Sequence, residues 1–451
     1  MPPEPEERVH VDGSAGTDGA RRVGTPAAAL VVVASMVGTG VFTTTGLLLR
    51  DLGSPLAVLA AWAVGGLLAV SGALSYAELA AALPRNGGEY QLLGRIYHPV
   101  VGFAAGIVSL VVGFSAPLAA SALAFGHYLA AVVPGVAPAA AAVGIVALAA
   151  TLHGIHVRFG VRVQAAATLL ELALVLAFVV AASGGADPAL LAAPDLPAAR
   201  AGPFAAALVY VSFAYSGWNG AVCLAGEVRS PSRGLPLALV AGTMIVAALY
   251  LALNVVFLSS APAGELAGVV DVAHVAATRL LGPGAGRLVS ALIALCLASS
   301  VSAMLMAGPR VYQAMGVDYP ALAVLARRTR HGGPVVAMAF QAALAVVLIA
   351  TASFGALLAY VGFTLSIVAG LAVVGVIVLR WREPALPRPY RTWGYPVTPL
   401  LFGGLSSWMV AHALREKPAA SWAGVATLLL AAGLYALVGR RRRGDTAREA
   451  P

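Results

Sequence analysis

Two short segments place glycines and polar side chains inside long apolar stretches. The first is Gly38-Thr39-Gly40, and the second runs from Phe213 to Gly220 with three aromatic side chains and one amide. Glycine costs about 1 kcal/mol in a helix interior, so each segment predicts a helix that unwinds locally. Unwinding frees backbone N–H and C=O groups, and the N-terminal end of the half-helix that follows attracts an anion such as a carboxylate.

Both segments also have a purely structural interpretation. Gly38 and Gly40 could form a small-residue surface that lets two helices approach closely, and Asn219 could make a hydrogen bond between helices. A weak repeat favours a site, because the sequence Ala-Ala-Ala-Leu-Val precedes both segments, at 27–31 and 205–209. Interrupted apolar segments at corresponding places in two halves of a membrane protein are typical of a binding site for a transported molecule.

The helices that carry these segments are expected to cross a membrane. Hydrophobic residues make up 60% of the 451 residues and charged residues only 10%, whereas soluble domains carry about 25% charged residues. Blocks of roughly 20 apolar residues match the hydrocarbon core of a bilayer, where an exposed backbone finds no hydrogen bonds. We therefore predict an all-α polytopic membrane protein with about twelve transmembrane helices. The predicted spans are 25–49, 54–82, 99–133, 138–157, 162–184, 202–225, 234–258, 286–308, 334–352, 354–379, 397–414 and 419–439.

The basic residues predict the topology. With the N-terminus inside, most of the 28 Lys and Arg residues fall on the inner side, and every inner segment carries at least two. This pattern, rather than nucleic-acid binding, accounts for the net charge of +9 and predicts a multi-pass cell-membrane protein with both termini cytoplasmic. Residues 1–23 lack the apolar core of a signal peptide and are expected to form a disordered tail, and residues 440–451 a basic tail.

Several kinds of chemistry have no motif in this sequence. It contains no phosphate-binding P-loop, no His-Glu-x-x-His helix and no constellation of metal ligands or nucleophiles, so we expect neither an enzyme nor a cofactor. Cys223 and Cys296 fall within predicted spans, where they are expected to pack as small apolar side chains. No obligatory protein partner is therefore evident, since no cysteine is expected outside the membrane for a covalent link.

Five motifs occur in order between residues 25 and 440. They are Gly38-Thr39-Gly40-Val41-Phe42; Leu74-Ser75-Tyr76-Ala77-Glu78-Leu79 with Pro84-Arg85-Asn86-Gly87-Gly88-Glu89-Tyr90; Phe213-Ala214-Tyr215-Ser216-Gly217-Trp218-Asn219 with Gly226-Glu227-Val228-Arg229-Ser230-Pro231; Ala307-Gly308-Pro309-Arg310-Val311-Tyr312; and Arg388-Pro389-Tyr390-Arg391 with Tyr395-Pro396. With these motifs the sequence resembles the amino acid–polyamine–organocation superfamily, and within it the heteromeric amino acid transporter light chains and their bacterial relatives. The resemblance implies a secondary transporter that moves amino acids by alternating access, either coupled to protons or by exchange. An amine or polyamine carrier and a non-transporting membrane sensor are the alternatives.

The resemblance also implies a fold and a substrate site. Residues 24–184 and 202–380 would form two inverted repeats of five helices in a LeuT-like arrangement, followed by two further helices in 397–439. The substrate carboxylate would bind at Gly38, Thr39 and Gly40. In the second segment, the backbone carbonyls of Phe213, Ala214 and Tyr215 would bind the substrate's amino group. The Phe213 ring would form an aromatic gate over the substrate. The substrate's side chain would lie in a pocket near Ser216, Gly217, Trp218 and Asn219. The surroundings of Ser216 are uncharged, which favours neutral amino acids.

Glu171, in Thr168-Leu169-Leu170-Glu171, departs from the family pattern. Many relatives carry Lys at this position, where it faces the place that sodium occupies in sodium-coupled relatives and is implicated in proton coupling. A carboxyl group buried in a span favours its neutral form, so Glu171 could carry a proton, and H⁺ is favoured over Na⁺ as the coupling ion. An ionised Glu171 facing Ser299 and Ser300 could instead help to bind a cation, and an inner-face hydrogen bond is the structural alternative.

Two further acidic residues lie near the inner ends of predicted spans. Glu78 is in the second span and Glu227 follows the sixth. Both are expected to pair with loop arginines, as a cytoplasmic gate or a structural latch.

Overall fold

The computed structural model describes residues 24–83, 88–155, 160–192, 200–224, 228, 231–327 and 334–438. Within these ranges the regular elements are helices, and no β-strand occurs. The two predicted tails, 1–23 and 440–451, lie outside the described residues, as does Glu227. The prediction of an all-α protein is confirmed for the part of the chain that the structure describes.

The α-helices follow one another along the chain with short connections. They are α1 (Thr25–Met36), α2 (Thr39–Leu52), α3 (Pro55–Ala82), α4 (Gly88–Ile96), α5 (Pro99–Val108), α6 (Ala116–Val132), α7 (Pro138–Ile155), α8 (Gly160–Ser183), α9 (Ala201–Ala214), α10 (Pro231–Leu258), α11 (Ala263–Leu266), α12 (Val272–Leu281), α13 (Pro283–Asp318), α14 (Val335–Thr351), α15 (Phe354–Arg382), α16 (Val397–Glu416) and α17 (Pro418–Val438). A π-helix at Ser109–Ser115 joins α5 to α6, and 3₁₀-helices cover Pro188–Ala192, Gly220–Leu224 and Pro320–Ala326.

The lengths of these helices support a polytopic membrane protein. In the described ranges, seven helices are long and apolar enough to cross a membrane, and α1 with α2 forms one further span bent by 44°. Shorter apolar helices lie at the four remaining predicted spans: 138–153, 169–183, 201–214 and 335–351. The helices therefore match the predicted order of spans, although the predicted ends differ in several places.

Prolines and serines define several helix starts. Pro55, Pro99 and Pro283 each stand in a first turn, where the N–H group that proline lacks would have no helical partner. Ser54 and Ser353 cap α3 and α15, because their Oγ atoms accept hydrogen bonds from Ala57 N and Ala356 N. The predicted division between the ninth and tenth spans thus falls at Ser353.

The third span contains a π-helix that the prediction of one continuous helix over 99–133 did not include. Pro117 removes a backbone donor, and the N–H of Ala116 bonds Val111 O, five residues back. Leu110 O accepts the hydroxyls of Ser115 at 2.9 Å and of Tyr312 at 2.8 Å. Polar side chains therefore satisfy the carbonyl that the interrupted helical ladder frees.

Two further predicted boundaries are corrected. The helix of the eighth span, predicted to end at residue 308, continues through Pro309 to Asp318. Gln341, buried on α14, donates to Met304 O at 3.0 Å, and so adds a hydrogen bond beside this proline. The sixth span, predicted over 202–225, is α-helical only as far as Ala214. Its glycines and polar residues form a turn instead.

The helices pack in two groups. In the first group α10 packs against α1 and α3, and α9 packs against α2 and α3. In the second group α13 packs against α6, α7 and α14, and α6 packs against α7. Helix α15 contacts α3 and α9 of the first group and α6 of the second. The interrupted segments of α1–α2 and α9 therefore lie in the same group.

Candidate functional site at the crossing of two broken helices

The first span is interrupted at Val37 and Gly38. Helix α1 ends at Met36, both linking residues have extended backbones, and α2 begins at Thr39. The two half-helices differ in direction by 44°. The interruption predicted from the glycines is present, and the N-terminal N–H groups of α2 begin inside the span.

The second interruption follows α9. Residues 215–219 form a turn, and the chain continues in the 3₁₀-helix Gly220–Leu224. Gly217 has φ +101°, a left-handed backbone that side chains rarely adopt. Ser216 N donates to Phe213 O at 3.0 Å, and Gly220 N donates to Gly217 O at 2.8 Å. The left-handed residue at 217 therefore reverses the chain immediately after the helix end.

The two interruptions touch each other, and we call this region the crossing. A Cβ on Gly40 would lie 2.4 Å from Ala214 Cα, and a Cβ on Gly217 would lie 2.2 Å from Ser35 O. Both distances are far below van der Waals contact, so only glycine fits at either position. The interpretation of the glycines as close-packing residues is thus correct for Gly40. The predicted local unwinding of the helix is present as well, two residues before it.

Gly38 differs from these two glycines. A Cβ on Gly38 would meet nothing within 4 Å, and its φ of 177° is an extended backbone that any residue adopts. The protein's own packing therefore does not require glycine at this position. Gly38 faces open space in the middle of the span, beside the N-terminus of α2.

Tyr250 of α10 holds the two helix ends together. Its hydroxyl donates to Met36 O at 2.6 Å and lies 3.3 Å from Ala214 O, where it can share the same proton. These carbonyls belong to the last residues of α1 and α9, whose helical hydrogen bonds end there. The Tyr250 ring is fully buried. One buried hydroxyl thus links both half-helices to α10.

Aromatic packing surrounds this hydroxyl. Trp62, Tyr215 and Tyr250 form a triangle with ring-centroid distances of 5.6, 5.4 and 5.2 Å. The Tyr215 hydroxyl donates to Trp62 O at 3.1 Å. Since all three rings are buried, Tyr215 anchors the second interruption to α3.

Thr39 joins the crossing to the second group of helices. Its Oγ1 lies 2.5 Å from Ser121 Oγ on α6, and both residues are buried. Its carbonyl accepts the Thr43 hydroxyl at 2.7 Å. The backbone N–H groups at the start of α2, rather than this hydroxyl, are the donors that Gly38, Thr39 and Gly40 can offer to an anion.

Trp218 and Asn219 lie in a separate group of side chains. The Trp218 ring packs edge-on against Tyr76 at 4.8 Å, and Asn219 Nδ2 donates to Glu89 Oε1 at 3.3 Å. The same oxygen accepts the Tyr76 hydroxyl at 2.7 Å. We call Tyr76, Glu89 and Asn219 the Glu89 cluster. It ties the turn after α9 to α3 and α4, and burial raises the pKa of Glu89 above its ordinary value.

Glu171 on α8 is buried near the crossing. Its side chain is 5% exposed, and no described residue forms a hydrogen bond with its Oε1. Helix α8 packs against α10, which carries Tyr250, and against α13, which carries Cys296. The hydroxyl of Ser300 donates to Cys296 O at 3.2 Å, within its own helix, and Ser299 is half-buried beside it.

Three residues at the crossing were not identified from the sequence: Trp62, Ser121 and Tyr250. Tyr250 and Asn254 are polar residues four apart within one span, and Asn254 also contacts Thr45 of α2. Polar side chains at helical spacing inside a span are a usable signal for an interface between helices. Ser121 and Trp62 have no comparable local signal.

Comparison with known proteins gives one family. The family model described as amino acid permease matches residues 23–437. The serine/threonine exchanger SteT of Bacillus subtilis (strain 168) is 28% identical over 429 residues, which cover 94% of this chain and 97% of that protein. The large neutral amino acids transporter small subunit 2 of Homo sapiens is 28% identical over 440 residues, covering 94% and 82%. The b(0,+)-type amino acid transporter 1 of Homo sapiens is 28% identical over 405 residues, covering 86% and 81%.

Proposed function

The chain belongs to the amino acid permease family, and we propose that it carries neutral amino acids by alternating access around the crossing. The observation that carries this proposal is the open space at Gly38, which lies between tightly packed glycine contacts and beside the free N-terminus of α2. Amino acid transport is also the activity named for the relatives. The mode of coupling and the preference for neutral amino acids are proposed here in addition.

The helix ends suit both charged groups of an amino acid. The N–H groups at the start of α2 favour the carboxylate, because the helix dipole is positive there. The carbonyls at the end of α9 favour the ammonium group. Phe213 O and Ala214 O each already accept one hydrogen bond, but a carbonyl oxygen can accept a second.

Gly38→Val tests this placement of the substrate. The side chain projects into open space on an extended backbone, so we expect normal expression and an unchanged apparent melting temperature. Uptake of labelled serine, threonine and leucine into proteoliposomes should fall by at least about tenfold, because the side chain occupies the space for the carboxylate. Gly433→Val, also in open space but on α17, is the control. Undiminished uptake by a well-folded Gly38→Val protein would remove the substrate from this position.

The residues next to Ser216 in the sequence are uncharged, which favours neutral substrates. Two relatives are named for serine and threonine and for large neutral amino acids, which agrees with this choice. Excess unlabelled neutral amino acids should therefore compete with labelled uptake, whereas lysine, glutamate and putrescine should not. Competition by putrescine alone would favour the amine carrier, and ligand-induced thermal stabilisation without flux would favour the sensor.

Glu171 is the proposed proton carrier. Its buried carboxyl group is on α8, which packs against α10, the helix of Tyr250. Because Tyr250 bonds the carbonyls of both half-helices, a change in the charge of Glu171 can act on the crossing. If this is its role, an inward proton gradient should stimulate uptake by the wild type and not by Glu171→Gln. Uptake that depends only on amino acid inside the vesicles, in both proteins, would instead indicate exchange without proton coupling.

The purified chain is proposed to act without a covalently attached partner. One group of relatives is named as a small subunit. In this chain Cys296 is buried in α13, and the side chain of Cys223 lies outside the described part. Proteoliposomes that contain only this chain test the proposal directly. Transport in them would show that no second subunit is required.

The proposed architecture follows the expected repeats. The first packing group combines the first two spans of residues 24–184 with the first two spans of residues 202–380. Its helices are α1, α2, α3, α9 and α10. The group with α6, α7, α13 and α14 combines the next two spans of each. This pairing of corresponding members supports two inverted repeats followed by two further helices, α16 and α17.

A further inference from the structure

A groove of about 340 Å³ lies apart from the crossing, between α3, α10 and the segment 383–396 that joins α15 to α16. Its lining consists of Leu74, Arg233, Pro236, Leu237, Val240, Pro389, Tyr390 and Trp393. These residues supply apolar or aromatic walls and a single charge, which belongs to Arg233. None of them belongs to the crossing or to the proposed substrate site.

Among the described residues, no acidic side chain pairs with the single charge of the groove. Arg233 is exposed, and within the described ranges it forms no salt bridge. An exposed guanidinium beside apolar walls is chemically complementary to an amphiphile with a negative head group. A zwitterionic head group is less suitable, because its cation would also lie near Arg233.

The groove lies at the level where membrane spans end. Arg233 lies in the first turn of α10, which begins at Pro231, and α16 begins at Val397, shortly after Trp393. The side chains of Leu237 and Trp393 are 62% and 78% exposed. A leucine of this exposure on a span contacts lipid, and tryptophan is enriched at membrane–water interfaces. We therefore expect the groove to open both to the acyl region and to the head-group region.

The loop wall of the groove is held rigidly by a buried carboxylate. Glu78 accepts two hydrogen bonds from Arg380, at 2.9 and 2.7 Å, and a third from Thr392 N at 2.6 Å. Arg380 also lies 3.7 Å from the centre of the Tyr395 ring. We call this set of contacts the Glu78 latch. Because it fixes the loop against α3, the groove is formed before any ligand arrives.

We propose that this groove binds one anionic phospholipid. The phosphate lies at Arg233, one acyl chain follows Leu74, Leu237 and Val240, and Trp393 packs at the level of the glycerol. Such a lipid bridges α3 and α10 of the first packing group to the loop between α15 and α16.

Quenching of Trp393 fluorescence tests the proposal. The protein is reconstituted in phosphatidylcholine vesicles that contain increasing fractions of phosphatidylglycerol brominated on its acyl chains. The difference between the wild type and Trp393→Phe isolates the signal of Trp393. We expect saturable quenching at a low fraction of the brominated lipid. Brominated phosphatidylcholine in the same vesicles should quench weakly and without saturation.

Three variants distinguish a specific site from general contact with lipid. Arg233→Gln should raise the half-saturating lipid fraction about fivefold, as expected for the loss of one basic residue near an anionic surface. Arg391→Gln removes an exposed charge from the same loop but not from the groove, and should leave saturation unchanged. Val240→Phe keeps Arg233 but fills the groove, and should weaken quenching as well.

Three results would overturn the proposal. Equal quenching by the two brominated lipids would indicate unspecific contact with the bilayer. Equal behaviour of Arg233→Gln and Arg391→Gln would remove the charged contact. Displacement of the lipid by millimolar inorganic phosphate would identify a site for a free anion.

Discussion

Single glycines at the crossing have two different physical roles. Gly40 and Gly217 are required by contact, since a Cβ at either would overlap backbone atoms of the partner half-helix. Gly38 is required by neither contact nor backbone conformation. Within three consecutive residues, Gly40 therefore serves helix packing and Gly38 the proposed substrate binding. The amino-acid composition of the segment cannot distinguish these two roles.

Tyr250→Phe tests the link between the two half-helices. The change leaves the buried carbonyls of Met36 and Ala214 without the shared hydroxyl, at a cost of about 1–3 kcal/mol. We expect a lower apparent melting temperature and slower uptake in proteoliposomes. Tyr360→Phe is the control, because its hydroxyl contacts only Thr427 in the described structure, at 2.8 Å and away from the crossing. Equal effects of the two variants would contradict a special role for Tyr250.

The Glu89 cluster predicts a pH dependence of stability. Burial raises the pKa of Glu89 above its ordinary value of 4.5, so the folded protein holds this proton at pH values where the unfolded chain has released it. Stability from this group is therefore fully present below pH 4.5 and is lost as pH rises through the folded pKa. Glu89→Gln should melt like the wild type at pH 4 and at a higher temperature at pH 8. A difference between the two proteins that does not change with pH would contradict this prediction.

At the scale of elements, α4 connects parts of the molecule that belong to different packing groups. Through Glu89 it contacts α3 and the turn after α9, and the next residue, Tyr90, donates to Asp318 Oδ2 of α13 at 2.7 Å. Arg95 pairs with Glu383 after α15. A short amphipathic helix, absent from the predicted spans, thus joins both groups at one end of the bundle.

The Glu78 latch makes a prediction about stability. Glu78→Gln removes a carboxylate that is only 2% exposed and places an amide donor against Arg380. The free energy of unfolding should therefore fall by about 3 kcal/mol or more. Glu265→Gln breaks an ion pair with Arg279 in which both side chains are roughly half-exposed, and should cost less than about 1 kcal/mol. Thermal unfolding in detergent, monitored by intrinsic fluorescence, compares the two. Similar losses would show that the latch contributes no more than a surface pair.

At the scale of the whole molecule, the order of spans predicts which loops share a side of the membrane. Residue 267 follows the seventh span and should be external, and residue 385 follows the tenth and should be cytoplasmic. Both positions are exposed alanines. Single cysteines are introduced there after replacement of Cys223 and Cys296 by alanine. In intact cells, a membrane-impermeant maleimide should label Ala267→Cys and not Ala385→Cys, and the reverse pattern would invert the topology.

The sequence by itself determined the helical class, the order of spans and the two interruptions. These properties depend on the length of apolar blocks and on the local cost of glycine, which neighbours in the chain already specify. Glu78 was correctly expected to pair with an arginine, but its partner Arg380 lies 302 residues away. Likewise, only the tertiary structure decided that Tyr250 serves both half-helices, that Asn219 contacts Glu89, and that Gly38 alone of its motif faces open space. Each of these depends on which helices meet and at what distance, and no local pattern encodes that.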